Sequence, residues 1–208
     1  MADAFKILRD LAEQNGITNP KSRKATRWFM EKVKDLYGDQ TLATKEILSE
    51  TKHNKYVQKR IPGGDTAFGK MYTFVYNPMH KQKLPYYDLF PLVIMISRYN
   101  DGFLGLNLHY LAPKYRQILL DKLYPLITNK NYDHTTRFRM TYEMVRDWKK
   151  LKYAKPCIKR YKMKKLRSRV LQLSASDWNT AIYLPYERFK KKSKKGVWMD
   201  SKRDINKV

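Results

Sequence analysis

The sequence predicts an α+β fold: a small antiparallel sheet, or a small barrel of the SH3 kind, in the middle of the chain with helices on both sides. Three observations predict it. Apolar residues recur at helical spacing in the first sixty residues and again after Pro113. Between Phe68 and Tyr110 the alternation has a period of two, and Gly, Pro and Asn punctuate the changes.

The elements follow in order. Ile7, Leu8 and Leu11 form a short helical stripe that ends near Gly16. Asn19-Pro20 reads as a cap and first-turn proline, and Phe29, Val33, Leu36 and Tyr37 share one face until Gly38. A third short helix holds Leu42, Ile47 and Leu48. A basic, aperiodic stretch then leads to Pro62-Gly63-Gly64, a predicted boundary. Met71, Thr73 and Val75 alternate with Tyr72, Phe74 and Tyr76, a strand with both faces partly buried. A Lys- and Tyr-rich loop holding Tyr86 and Tyr87 comes next, then a β-branched run at 92–97, a turn at Asn100-Asp101-Gly102 and further alternation from Phe103. Gly69, Gly102 and Gly105 are expected at bends. Helical spacing returns with Tyr115, Ile118, Leu119 and Leu123, which Pro125 is expected to end. Phe138, Tyr142, Val145 and Trp148 give another stripe. Ser174 or Ser176 is placed to cap a last short helix with Trp178 and Ile182 that Pro185 stops. The division expected is a helical segment over 1–60, an α+β core with a basic face over 65–187, and a mobile Lys-rich tail over 188–208.

Charge narrows the function. With 44 Lys plus Arg against 19 Asp plus Glu, the 208-residue chain carries +25, and 16 Tyr, 8 Phe and 4 Trp exclude a mere disordered basic tail. So one-sided a charge is best tolerated beside a polyanion, and nucleic acid is the commonest. Residues 1–10 carry acids and do not read as a secretory leader. The longest apolar stretch, at 89–97, is broken by Pro91 and too short for a bilayer, so a soluble protein made inside the cell is expected.

The strongest constellation lies between Asp147 and Asp177, where eleven cations occur without one acid. Such density suits a phosphate backbone, where each contact releases a counterion. Lys155, Lys159, Arg160, Lys162, Lys164, Lys165, Arg167 and Arg169 are therefore the candidate DNA-binding residues, with Tyr153 and Tyr161 between them to stack on bases. A solvated helix face is the competing reading, weakened because such faces mix both signs. Lys190, Lys191 and Lys192 add a second cluster, read as a flexible arm.

No catalytic site is read. His53, His80, His109 and His134 lack metal-ligand spacing, and His109 reads as a structural histidine in a strand. Asp88, Asp101 and Asp133 are explained by turn chemistry, and no paired carboxylates suit a metal-dependent nuclease. Cys157, flanked by lysines that would activate a thiol, reads as a small buried residue. Neither cofactor nor metal is expected.

Three segments carry a family resemblance: 69–78 (GKMYTFVYNP) running into 84–93 (LPYYDLFPLV), then 101–111 (DGFLGLNLHYL), then 155–161 (KPCIKRY) with Arg167-Ser-Arg169 and 178–185 behind it. They resemble a virion protein of T-even-type contractile-tailed phages, of the DNA end protector family. That resemblance implies a protein of the phage head or neck, made in the bacterial host, that binds packaged duplex DNA at its ends and blocks a host exonuclease. It implies no catalytic residue and carries over no DNA-contacting one. The alternative is a structural connector of the neck, tail or baseplate whose basic surface docks on acidic virion proteins.

Overall fold

In the computed structural model, the structure describes residues 10–17, 24, 27–28, 31–32, 57–58, 67–128, 152–174 and 177–207. The α+β expectation holds. A six-stranded antiparallel sheet runs in the order β1-β7-β2-β4-β5-β6, formed by β1 (Val57–Gln58), β2 (Met71–Thr73), β4 (Leu92–Tyr99), β5 (Gly102–Asn107), β6 (Ile158–Lys162) and β7 (Val170–Leu173). A separate two-stranded ribbon pairs β3 (Tyr87–Asp88) with β8 (Phe189–Lys190). Of the two forms foreseen it is the open sheet. Among the described residues no ladder joins β6 to β1 or β7, so the barrel is not closed.

Period-two alternation sorts the strands between two cores. Met71, Leu92, Ile94, Ile96, Leu106, Leu171 and Leu173 face the larger one. Tyr72, Phe74, Val93, Met95, Phe103, Tyr161 and Val170 face the smaller, which is mostly aromatic. There Tyr161 stacks on Phe103 at 5.2 Å and meets Phe74 and Tyr76 edge-on at 5.5 and 4.9 Å. Tyr161 was expected to be available to bases, but it is a buried core residue. Gly102 and Gly105 lie within β5 rather than at bends. A Cβ on Gly102 would come within 1.9 Å of the Tyr161 carbonyl oxygen, so a side chain there would push β6 away. Gly69 does sit in a turn, at φ +68°.

Helices cover the larger core. Residues 10–14 are helical and end as foreseen at Gly16, φ +66°, where Gly16 N–H donates to Glu13 O and Ile17 N–H to Ala12 O, a Schellman closure. Helix α1 (Pro113–Thr128) starts on a proline and continues through Pro125, which was expected to stop it. Asp177 stands at the N-cap position of helix α2 (Trp178–Ala181) without a side-chain capping bond, and of the two serines expected there Ser174 donates its hydroxyl to the Asp177 carboxylate while Ser176 lies outside the described residues. The stretch from Arg188, expected to be a mobile tail, is β8 followed by α3 (Lys194–Asn206). Ser193 Oγ accepts from Gly196 N–H to cap α3, Val197, Ser201 and Ile205 bury one stripe, and the Trp198 indole donates to His109 O at 2.9 Å. Lys24, Arg27, Trp28, Glu31 and Lys32 are helical, as foreseen. The helices expected around 42–48 and 138–148 and the boundary at 62–64 lie outside the described residues.

Two buried polar networks join these layers. Arg116, 0% exposed, donates through Nε to Leu111 O at 2.7 Å, and through its terminal nitrogens to Ile182 O at 2.8 Å and Glu187 Oε1 at 3.0 Å. Asp88 accepts from His109 Nδ1 at 2.8 Å and the Asn107 amide at 3.2 Å, and its other oxygen takes the Phe90 and Arg188 N–H groups. The Phe90 bond is the turn chemistry read for Asp88, but the residue also holds the ribbon to β5. Burial alone would raise both carboxyls. For Asp88 it is outweighed by the His109 charge and hydrogen bond together with the Phe90 N–H, and for Glu187 by the Arg116 charge, so both end below their ordinary values.

Two outcomes follow for stability. Glu187→Ala strands a buried guanidinium and is expected to destabilise the protein by about 3–5 kcal/mol in urea unfolding. The second concerns acid. Groups with depressed native values contribute stability that is complete above their unfolded values and lost as pH falls through the native ones. Unfolding free energy should therefore be steady from about pH 5 upward and decline below it. Asp88→Asn should lower the neutral-pH plateau and flatten that decline. An equally steep acid limb in the variant would show that Asp88 does not contribute to it.

Candidate nucleic-acid interface

Among the described residues the basic run is not a helix face. Its described part is a 3-10 turn (Lys155–Cys157), the edge strand β6, a second 3-10 turn (Met163–Lys165) and the approach to β7. The second turn is pinned beside the end of β2: Asn77 N–H donates to Lys165 O, Arg167 N–H to Val75 O, and Val75 N–H to Ser168 Oγ. A rigid backbone therefore presents the cations that follow β6.

The structure sorts the eleven candidates into three kinds. Lys155, Lys164, Arg167, Arg169 and Lys190 are exposed, Lys165 is half-buried, and none of these six is ion-paired with a described residue. Arg160 and Lys162 share Asp101, at 2.9 and 3.1 Å, across the β5–β6 pairing. Those hydrogen bonds hold the Asp101 carboxyl below its ordinary value, and Arg160 also lies over the Tyr99 ring at 4.6 Å. Sequence reading assigned Asp101 to a turn. It does sit beside one, but it also neutralises part of the candidate face.

Three candidates serve the fold. Lys191 donates to the carbonyl oxygens of Lys81, Gln82 and Leu84 at 2.6, 2.9 and 2.9 Å, closing the loop before β3. Lys192 pairs with Asp200 of α3 and lies over the Tyr86 ring. The flexible arm read for Lys190–Lys192 is thus corrected to a docked segment that leaves Lys190 unpaired. Lys159 shares the face of β6 with Tyr161 and stands opposite Gly105. Its ammonium lies 4.1 Å over the Tyr110 ring, and burial pulls its pKa down.

The candidates do not form one patch. Lys164, Lys165, Arg167 and Arg169 cluster after the C-terminal end of β6. Lys155 precedes its other end, roughly 16 Å away by strand rise. Lys190 lies on the ribbon, opposite Tyr87. Tyr153, half-buried, stacks on Tyr115 at 5.5 Å with Lys122 and Lys152 over its ring.

Between the ribbon and β6 lies a cleft of about 330 Å³ that the sequence did not reveal. Tyr76, Tyr86, Tyr87, Tyr110, Lys159 and Arg160 are among its lining, with Asp88 and Asn107. Tyr86 packs against Tyr110 at 5.8 Å and edge-on to Phe189 at 6.4 Å. Tyr87 is half-buried, with no ring contact to a described residue.

Catalytic groups are not assembled among the described residues. No three His, Cys, Asp or Glu side chains come together to hold a metal. His109 and Asp88 form a pair sealed from solvent, and His109 Nε2 finds no hydrogen-bond partner among the described residues. Cys157 is buried as expected, and burial raises its thiol to about 12. No described helix is long and apolar enough to cross a membrane.

Comparison with known proteins agrees with a phage origin. No curated protein and no solved structure matches the chain. A family model does match it, over residues 11–203, and its description is phage T4 terminal DNA protecting protein. Since that match spans nearly the whole chain, including both polar networks and the basic segment, the protein belongs to the phage T4 terminal DNA protecting protein family.

Proposed function

We propose that this protein protects the ends of packaged phage DNA by gripping duplex phosphates, without cutting the DNA, as a virion component of the head or neck. The family supports the protective role. The observation that carries the phosphate grip is the rigid segment after β6. There Lys164, Lys165, Arg167 and Arg169 stand within six residues, without an acidic partner among the described residues. Cations left uncompensated in a chain of net charge +25 are costly unless a polyanion supplies the missing charge. Contacts of this kind position a protein on DNA without reading its sequence.

Six of the candidate cations have no ion pair among the described residues: Lys155, Lys164, Lys165, Arg167, Arg169 and Lys190. With about six phosphates engaged, affinity for duplex DNA should fall by about a thousandfold between 50 and 200 mM salt, with little dependence on sequence. Arg167→Ala/Arg169→Ala should flatten the slope of log affinity against log salt by about 1.8. A fluorescence titration without salt dependence would refute the phosphate grip and favour a connector that docks on acidic virion proteins. Linear and circular DNA incubated with the protein and Mg²⁺ or Mn²⁺ should remain intact. Cleavage that disappears when one Asp or His is replaced would make the protein an enzyme.

A further inference from the structure

We propose that the cleft between the β3–β8 ribbon and β6 receives one unpaired nucleotide at the DNA terminus, the base lying against tyrosine and a phosphate meeting Lys159. This deepens the proposed function and rests on it. At about 330 Å³ the cleft is near the lower limit of ligand pockets, about 300–1,000 Å³, which gives room for one nucleotide but not for a base pair.

Its chemistry fits that occupant. Tyrosine supplies most of the aromatic wall, and base–aromatic stacking tolerates any sequence because every base has a π-face. Tyr86 is fixed by Tyr110 and Phe189, which makes it a firm wall, whereas the Tyr87 ring is not engaged by another described ring. Lys159 is the second observation. Its side chain is half-buried, its ammonium rests on Tyr110, and no described carboxylate lies within ion-pairing distance, the charge of Asp204 acting only from farther away. Holding a cation partly out of water with so little compensation is unfavourable, so the site gains by admitting an anion. An apolar peptide would leave that charge uncompensated, whereas a nucleotide brings both a ring and a phosphate.

Selectivity for ends follows from the occupant. Within a duplex, extruding a nucleotide requires unstacking on both sides, and an already unpaired nucleotide avoids that cost. The free cations after β6 hold any duplex; the cleft accepts what only a terminus offers readily.

The test uses the full chain and three competitors of equal length and sequence. These are a closed circle, a blunt duplex, and a duplex with one unpaired terminal nucleotide carrying 5-iododeoxyuridine. Wild type should prefer the unpaired terminus over the circle by about tenfold, the order expected of one stacked base. Lys159→Met, which keeps the side chain's length over Tyr110, and separately Tyr87→Ala should remove that preference. Both should retain the salt slope measured on circles. Irradiation of the wild-type complex should cross-link the iodinated base to Tyr86, Tyr87 or Tyr110, and this arm stands even if a variant fails to fold.

Equal affinity of wild type for all three DNAs, or cross-links confined to residues outside the cleft, overturns the nucleotide site but leaves the phosphate grip intact. Absence of salt-dependent binding to any of the DNAs overturns both.

Discussion

One fully enclosed guanidinium fixes how the layers of this protein meet. Arg116 leaves α1 and is held by the carbonyl before that helix, by the carbonyl that follows α2, and by Glu187 just ahead of β8. Trp198 of α3 lies 5.6 Å from it. A charge this deep is tolerable only when it is paired and hydrogen-bonded, so the segments supplying its acceptors must converge at one place. Glu187 stands two residues before β8, which pairs with β3, and Asp88 of β3 holds Asn107, the last residue of β5, and His109 just after it. The ribbon's position against the sheet is therefore set from the interior, and with it the opening of the cleft beside β6.

Net charge is a poor measure of what a partner meets here. Two cations that look alike in sequence are consumed by the fold, Lys191 in a cup of carbonyls and Lys192 on Asp200, and a third, Lys159, is drawn off the surface into the cleft over the Tyr110 ring. Two more, Arg160 and Lys162, divide one carboxylate at the surface, an arrangement that solvent screens and that contributes little to stability. What remains is concentrated where a strand gives way to a tight turn. Cations held on a braced backbone lose little freedom on meeting DNA, unlike those of a flexible arm.

The sheet was legible because its strands place apolar residues on both faces, and Leu92 to Ile96 of β4 show this without interruption. Helix α3 was hidden. Its buried stripe has only Val197 and Ile205 as apolar members, with Ser201 between them, and lysines dominate the local composition. Tyr161 was misread for a related reason, since Lys159, Arg160 and Lys162 flank it in sequence while its neighbours in space are Phe74, Tyr76 and Phe103. Asp101 meets its cations from 59 and 61 positions away, and Lys191 meets its carbonyls from 107 to 110. No local pattern reports pairings of that range. The charge run itself was visible, but which of its members remain free depends on those distant partners.

The edge position of β6 has a consequence for how copies of this chain coexist. An edge strand exposes unpaired backbone donors and acceptors, an invitation to pair with another edge, and lysine or arginine along it is a recurrent safeguard. Lys159, Arg160 and Lys162 occupy that strand, and repulsion between like edges keeps two molecules from zipping together. Under the proposed phosphate grip, phosphates settling on the neighbouring cations would weaken that repulsion, so that DNA occupancy would work against the safeguard that the edge provides.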